Sequence, residues 1–246
     1  MTPITVFASR NGKEILRDRL NLMFGVGFPI VLLLLLTAIQ ANVPVSLFEI
    51  GHLTPGIAVF GLSFISLFSG MLIAKDKTSS FLLRLFSSPL RSSDYILAYA
   101  VPLLPMAVAQ ITACFIVAFF LGLTINLHVL LAIIVLIPAA SLFIGIGLLC
   151  GSVFNDKQVS GICGALLTNL SAWLSGTWFD LSLVGGWFER IASVLPFAPA
   201  VDAARAALRG DYGEIMPNLW IVLVYAVVTL IVAVIVFRRR MNGEHV

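Results

Sequence analysis

The chain has 246 residues, 60% of them hydrophobic and only 11% charged, with a mean hydropathy of +1.06. Soluble domains carry about a quarter charged residues and under half apolar ones, so a soluble fold is excluded and lipid is the solvent for most of this surface. The net charge of +3 is too small to point to nucleic acid, and Cys114, Cys150 and Cys163 are too scattered for a disulfide framework or a metal site; they read as small apolar packing residues.

At roughly 20 residues per crossing the length leaves room for about six spans. Residues 1–21 alternate Arg10, Lys13, Arg17 and Arg19 with Ile4, Phe7, Ile15, Leu16 and Leu20, the pattern of an amphipathic helix lying on the membrane surface. The apolar run 22–39 is full length, with no small-residue exit before Gln40, so it is read as an uncleaved first span and not as a signal peptide. Further spans are expected at 55–74, 95–121, 129–150, 159–178 and 218–237, the last stopped by Arg238, Arg239 and Arg240. Pro102, Pro105 and Pro138 fall inside spans, where neighbouring helices satisfy the carbonyls they free. With six spans, 12 of the 15 Lys and Arg lie on the side of the two termini and of the loops 75–94 and 151–158; only Arg190, Arg205 and Arg209 lie on the other. The positive-inside rule then places both termini in the cytoplasm.

No enzyme motif is present. His52, His128 and His245 stand isolated, and the sequence holds no His-Glu-x-x-His, no Gly-x-Ser-x-Gly and no phosphate-binding loop. The spans also lack the intramembrane charges on which proton and ion carriers usually depend. In the loop 75–94, Asp76, Lys77, Thr78 and Ser79 read as the start of a short helix. Phe81 and Leu85, and Leu82 and Phe86, form its apolar rows beside Arg84, and Ser87-Ser88-Pro89 ends it. Ser92-Ser93-Asp94 is the next start signal. Such a helix either floats on headgroups or docks a cytoplasmic partner. In the loop 179–216, Trp187, Phe188, Ile191 and Leu195 space like one helical face, Pro196 to Pro199 breaks it, and Asp202, Arg205, Ala206 and Arg209 suit a second helix. This apolar pair reads as a dip into the outer leaflet or as a plain interfacial pair. Gly147 and Gly151, and Ser141 and Gly145, have the spacing of close helix contacts. Gln110 and Asn169 are polar groups inside spans, lining a pathway or bonding a neighbour.

Taken in order, these patterns resemble the permease subunits of type-2 ABC transporters, the membrane subunits of bacterial ABC exporters, over essentially the whole chain. Leu16-Arg17-Asp18-Arg19 leading to Phe28-Pro29 resembles that family's surface helix and first-span entry, with Arg10, Arg17 and Arg19 on the interfacial helix. Lys75 to Asp94 resembles its coupling loop, in which Lys77, Thr78, Phe81, Leu82, Arg84, Leu85, Phe86 and Pro89 would meet the ATPase, although the family's Gly before Thr78 is absent. Leu174 to Phe179, with Ser175 and Gly176, resembles the signature closing the fifth span. Pro196 to Leu208, with Pro199, Asp202 and Arg205, resembles the stretch before the sixth, so these residues are expected at an extracellular gate. The resemblance implies an all-α, polytopic membrane protein forming a single transmembrane domain over 1–246. It has six transmembrane helices, an N-terminal amphipathic surface helix and a short extracellular re-entrant helix pair within 179–216. It further implies a transport subunit in a bacterial inner membrane, a homodimer or heterodimer of permeases, and two copies of a separate ATPase that binds ATP and Mg, with no catalytic residue, cofactor or metal on this chain. The apolar and aromatic composition fits an amphipathic or hydrophobic cargo such as a drug, antibiotic, peptide or lipid. A membrane-embedded enzyme or a secondary carrier is the alternative.

Overall fold

The computed structural model describes residues 3–42, 48–78 and 91–243, and every regular element among them is helical. Helix α1 is Pro3–Arg17. After a break at Asp18, one helical turn, Arg19–Leu22, runs into α2, Met23–Gln40, which opens with a π-helical segment, Met23–Gly27. Helix α3 is Ile50–Thr78 and α4 is Ser92–Phe120. Helix α5, Leu127–Val153, is interrupted at Leu136, where Pro138 lacks the N–H needed to continue the ladder. Helix α6 covers 156–174, with a π-helical centre at Ser160–Leu167. Its start is fixed by a reciprocal cap between Asn155 and Gln158. The short helices α7, Leu181–Val184, α8, Gly186–Val194, and α9, Phe197–Arg209, precede the long α10, Tyr212–Gly243.

Helix α3 is apolar on all sides and is the centre of the bundle, because a helix with no polar face is stable only when surrounded. It packs on α2, α4, α5, α6 and α9, while α5 also lies along α10. The contact of α3 with α5 is backbone on backbone. A Cβ on Gly147 would overlap the Ser69 hydroxyl and the Ser66 carbonyl, and one on Gly151 would overlap the Gly70 carbonyl. The Ser69 hydroxyl also reaches the Ile144 carbonyl across this seam, at 3.1 Å. The expected close packing at Gly147 and Gly151 is therefore realised within the bundle.

Among the described residues, five helices, α2, α3, α4, α5 and α10, are long and apolar enough to cross a membrane. The segment expected as the fifth of six spans is α6, whose α-helical run the π segment divides. The expected helix pair is α8 and α9, bent by 76° at the Pro196 break. Large apolar side chains of α2 and α10, including Val31, Leu35, Val224 and Ile231, face outward. This is an all-α, multi-pass membrane protein.

Candidate functional site

Two polar clusters occupy the opposite ends of α3. At the end shared with the termini, where Phe237 of α10 packs near Tyr95 of α4, the Asp76 carboxylate is 2% exposed. It accepts from Arg10 Nη1 at 2.7 Å and Nη2 at 2.9 Å, and from the Tyr99 hydroxyl at 2.7 Å. Burial acts against the charge on Arg10, the Asp76 carboxylate acts for it, and the net shift of its pKa is upward. The neighbouring Lys77 Nζ lies 3.1 to 3.3 Å from the carbonyls of Gly151, Ser152 and Phe154. It thereby caps the end of α5, whose last carbonyls have no partner within the helix. Lys75 pairs with Asp18 at 3.7 Å.

Asp76, Lys77 and Thr78 were expected to begin a new helix; they form instead the last turn of α3, with the Thr78 hydroxyl bonded back to the Lys75 carbonyl. The apolar run of α3 continues into residues whose charges are met by other helices, so nothing stops it at Ala74. Phe81, Leu82, Arg84, Leu85, Phe86 and Pro89 lie outside the described residues. The next start signal holds: Asp94 accepts from the Arg91 N–H at 2.9 Å at the head of α4. Arg17 and Arg19 are exposed, whereas Arg10 is turned toward the protein.

At the opposite end, α9 presents Arg205, 7% exposed. Its Nε donates to the His52 carbonyl at 3.1 Å and its Nη2 to the Gly176 carbonyl at 2.8 Å. Nη2 also lies 3.1 Å from His52 Nδ1; since arginine only donates, Nδ1 accepts and the ring carries its proton on Nε2. Asp202 pairs with Nη1 at 3.5 Å from the preceding turn of α9. The turn after α6 is shaped to meet this side chain. Gly176 has φ +66°, the left-handed conformation in which glycine is least strained. Ser175 and Thr177 share a hydroxyl hydrogen bond at 2.5 Å, and Thr177 seats on Gly56 of α3, where a Cβ would come within 2.7 Å of it. Clefts of about 330 Å³ and 210 Å³ flank Arg205, the first lined by Glu49, His52 and Asn126, the second by Gly176, Asp180 and Asp202.

The residues expected at one gate thus meet: Ser175, Gly176, Asp202 and Arg205 form one cluster, and Pro196 and Pro199 open the first turn of the helix that carries Arg205. Of the face that its spacing marks on α8, Phe188 and Leu195 pack against the core, whereas Trp187 and Ile191 are exposed. Gln110 and Asn169 do not meet. Gln110 is buried between α4 and α3, its amide 3.4 Å from the Ala58 carbonyl, while Asn169 is exposed on α6 and bonds its own helix at Ala165. The three cysteines are buried and form no disulfide. Among the described residues, no three His, Cys, Asp or Glu side chains converge as a metal site would require. Sequence reasoning missed His52, Asn11, Asp76 as an acceptor, and Tyr99. Asp76 alone carried a signal, a carboxylate at the end of an apolar run.

An all-α, multi-pass bundle agrees with what comparison finds. The family model of the ABC-2 type transporter matches residues 2–208. The chain belongs to the ABC-2 type transporter family. A protein of Porphyra purpurea named a transport permease, ycf38, is 28% identical over 204 residues, covering 78% of this chain and 69% of that protein. The ABC-2 type match takes in α1 to α9 and both polar clusters, so Arg10, Asp76, Lys77, His52, Gly176 and Arg205 all belong to the matched region. The chain is a membrane permease of the ABC transporter class.

Proposed function

We propose that this permease is the membrane subunit of an ATP-driven exporter of amphipathic or hydrophobic substrates. It works as one of two permease subunits, with two copies of a separate ATPase, in a bacterial cell membrane with both termini in the cytoplasm. The observation that carries this reading is the anchoring of Asp76 and Lys77 at the end of α3. These residues belong to the stretch 75–94, which resembles the family's coupling loop, and stand immediately before its segment 79–90. A displacement of that segment by a closing ATPase enters the helix that runs through the whole bundle. The site of ATP and Mg is on the partner, and this chain supplies the levers. Ser175, Gly176, Asp202 and Arg205 at the far end are suited to open and close an exit, and the outward faces of α2 and α10 offer apolar groups to a cargo.

The test is co-purification. The tagged chain, extracted in mild detergent and crosslinked beforehand in intact membranes, is expected to carry down a cytoplasmic protein with a phosphate-binding loop in about equal amount. Replacing Phe81 and Arg84 with alanine is expected to release it while the chain remains inserted. Recovery of the chain without any ATPase from crosslinked membranes refutes the proposal.

A further inference from the structure

Arg205 uses His52 twice, at its main-chain carbonyl and at its ring. The ring contact depends on a lone pair. Nη2 of Arg205 stands 3.1 Å from His52 Nδ1, and a guanidinium only donates, so Nδ1 is the acceptor and Nε2 carries the ring proton. A second proton therefore has one place to go, Nδ1, the atom that Arg205 already engages. Once there, it sets an N–H against an N–H and a cation against a cation at contact distance, which costs free energy on both counts. Turning the ring over brings no relief, because both nitrogens of an imidazolium are donors.

The ring is within reach of water, for His52 is half-buried and lines the cleft of about 330 Å³ with Glu49, Thr124 and Asn126. Among the described residues, the charges that face it come from three places. Helix α9 brings Arg205 and Arg209, the head of α3 brings Glu49, and the turn before α7 brings Asp180. Asp202 pairs with Arg205, and Glu214 of α10 holds Arg209 at 2.9 Å. The connection from α4 to α5 contributes the neutral Thr124 and Asn126, and residues 43–47 include no titratable side chain. Arg205 is the charge in contact with the ring, so the docked arrangement has no room for the proton. Once Arg205 has left, Glu49 and Asp180 favour it. We infer that His52 is a proton-binding site whose occupation drives Arg205 off the ring and releases the 175–177 turn, which Arg205 holds through the Gly176 carbonyl. A histidine without such a partner takes up its proton near about pH 6.5. The released state binds this proton and the docked state does not. Docking is therefore intact above about pH 6.5, and below it the released population grows by up to about tenfold per pH unit. The inference rests on the permease reading above in taking this end as the outer one, and it adds the condition under which the far-end cluster loosens.

The experiment uses the full chain in membrane fragments open on both faces, in a background lacking the native cysteines. Neither the orientation nor an ATPase enters the measurement, so a negative result leaves the co-purification test of the permease reading standing. Thr177→Cys, buried in the docked turn, is labelled with a maleimide at pH 7.5 and at pH 5.5. Each rate is divided by that of the exposed Ser182→Cys at the same pH, which removes the change in thiolate fraction. The ratio is expected to rise about tenfold on acidification, the factor by which a histidine titrating near 6.5 gains its proton over this interval. His52→Asn, whose Oδ1 accepts from Arg205 and takes up no proton in this range, is expected to give a flat ratio; His52→Gln takes its place should it fail to insert. Arg205→Met, with the turn already released, is expected to show a high ratio at both pH values. Asp202→Asn is expected to keep the rise. So is His128→Gln, at the other histidine of this end, which lies beside Gly210 and Tyr212. The inference is overturned if the parent ratio changes by less than about threefold, if the His52 variant keeps the rise, or if Asp202→Asn or His128→Gln abolishes it.

Discussion

Arg205→Met tests the far-end cluster most directly. Methionine fills most of the volume of the arginine stem and offers no donor, so the change removes the bonds to the His52 and Gly176 carbonyls with little loss of packing. Each hydrogen bond from a charged donor contributes about 1.5–3 kcal/mol. Set against this is the relief of no longer burying a guanidinium, which offsets part of the loss and leaves about 2–3 kcal/mol. At 1.4 kcal/mol per factor of ten, undocked conformations of the 175–177 turn rise roughly 30- to 150-fold relative to the docked one. Thr177, 2% exposed within that turn, is the place to read this. With Thr177→Cys in a chain lacking Cys114, Cys150 and Cys163, the rate of maleimide labelling is proportional to the undocked population. Arg205→Met is expected to raise it by that factor. Arg205→Lys, whose single ammonium spans fewer of the same acceptors, raises it by less. A labelling rate within about threefold of the parent refutes the assignment of Arg205 as the pin of this turn.

Lys77→Met removes the cap on the Gly151, Ser152 and Phe154 carbonyls and is expected to lower the unfolding free energy by about 2 kcal/mol, read as a fall in Tm of the purified chain. Gly147→Ala drives a methyl into the Ser66 carbonyl and is expected to cost about 1–3 kcal/mol or more in the same measurement; Gly161→Ala, with nothing within 4 Å of the added carbon, leaves Tm unchanged or higher. Cysteine at Ser182 is expected to react with an impermeant thiol reagent from outside the cell, whereas cysteine at Ser92 is protected; the reverse pattern refutes the orientation. Phe81→Ala, Arg84→Ala and Phe86→Ala are expected to lower ATP-dependent labelling of Thr177→Cys while membrane insertion, measured by carbonate extraction, is unchanged.

Hydropathy alone located α2, α3, α4, α5 and α10, because a lipid-exposed or fully buried helix has to be apolar along its length. The meeting of Gly176 with Arg205 was legible as two short patterns in a familiar order. Their shared partner was not, since His52 lies 153 residues from Arg205 and nothing in its local sequence marks it. The end of α3 was misread for a related reason. Asp76, Lys77 and Thr78 look like a helix start when their partners are unknown, and Arg10 and Phe154, which make them a helix end, are distant in sequence. The amphipathic reading of α1 found its apolar side but not the destination of Arg10 and Asn11, because a periodic pattern does not tell lipid from protein as the covering surface. The π-helical centre of α6 left no signal, for its residues are those of any apolar span.

The seam between Gly147, Gly151, Ser66 and Gly70 has a mechanical consequence. Most helix pairs are separated by interlocking side chains, which yield by changing rotamer and so act as a cushion. Along this seam main chain rests on main chain, and there is no cushion to compress. Helices α3 and α5 are therefore clamped together over the turn from Ser66 to Gly70. With 29 residues in α3, at 1.5 Å each, that helix is about 44 Å long, enough to reach from one face of a bilayer to the other, and the clamp sits on its half nearer Lys77. A displacement of α3 at this turn is expected to carry α5 with it, because nothing between the two main chains can take it up.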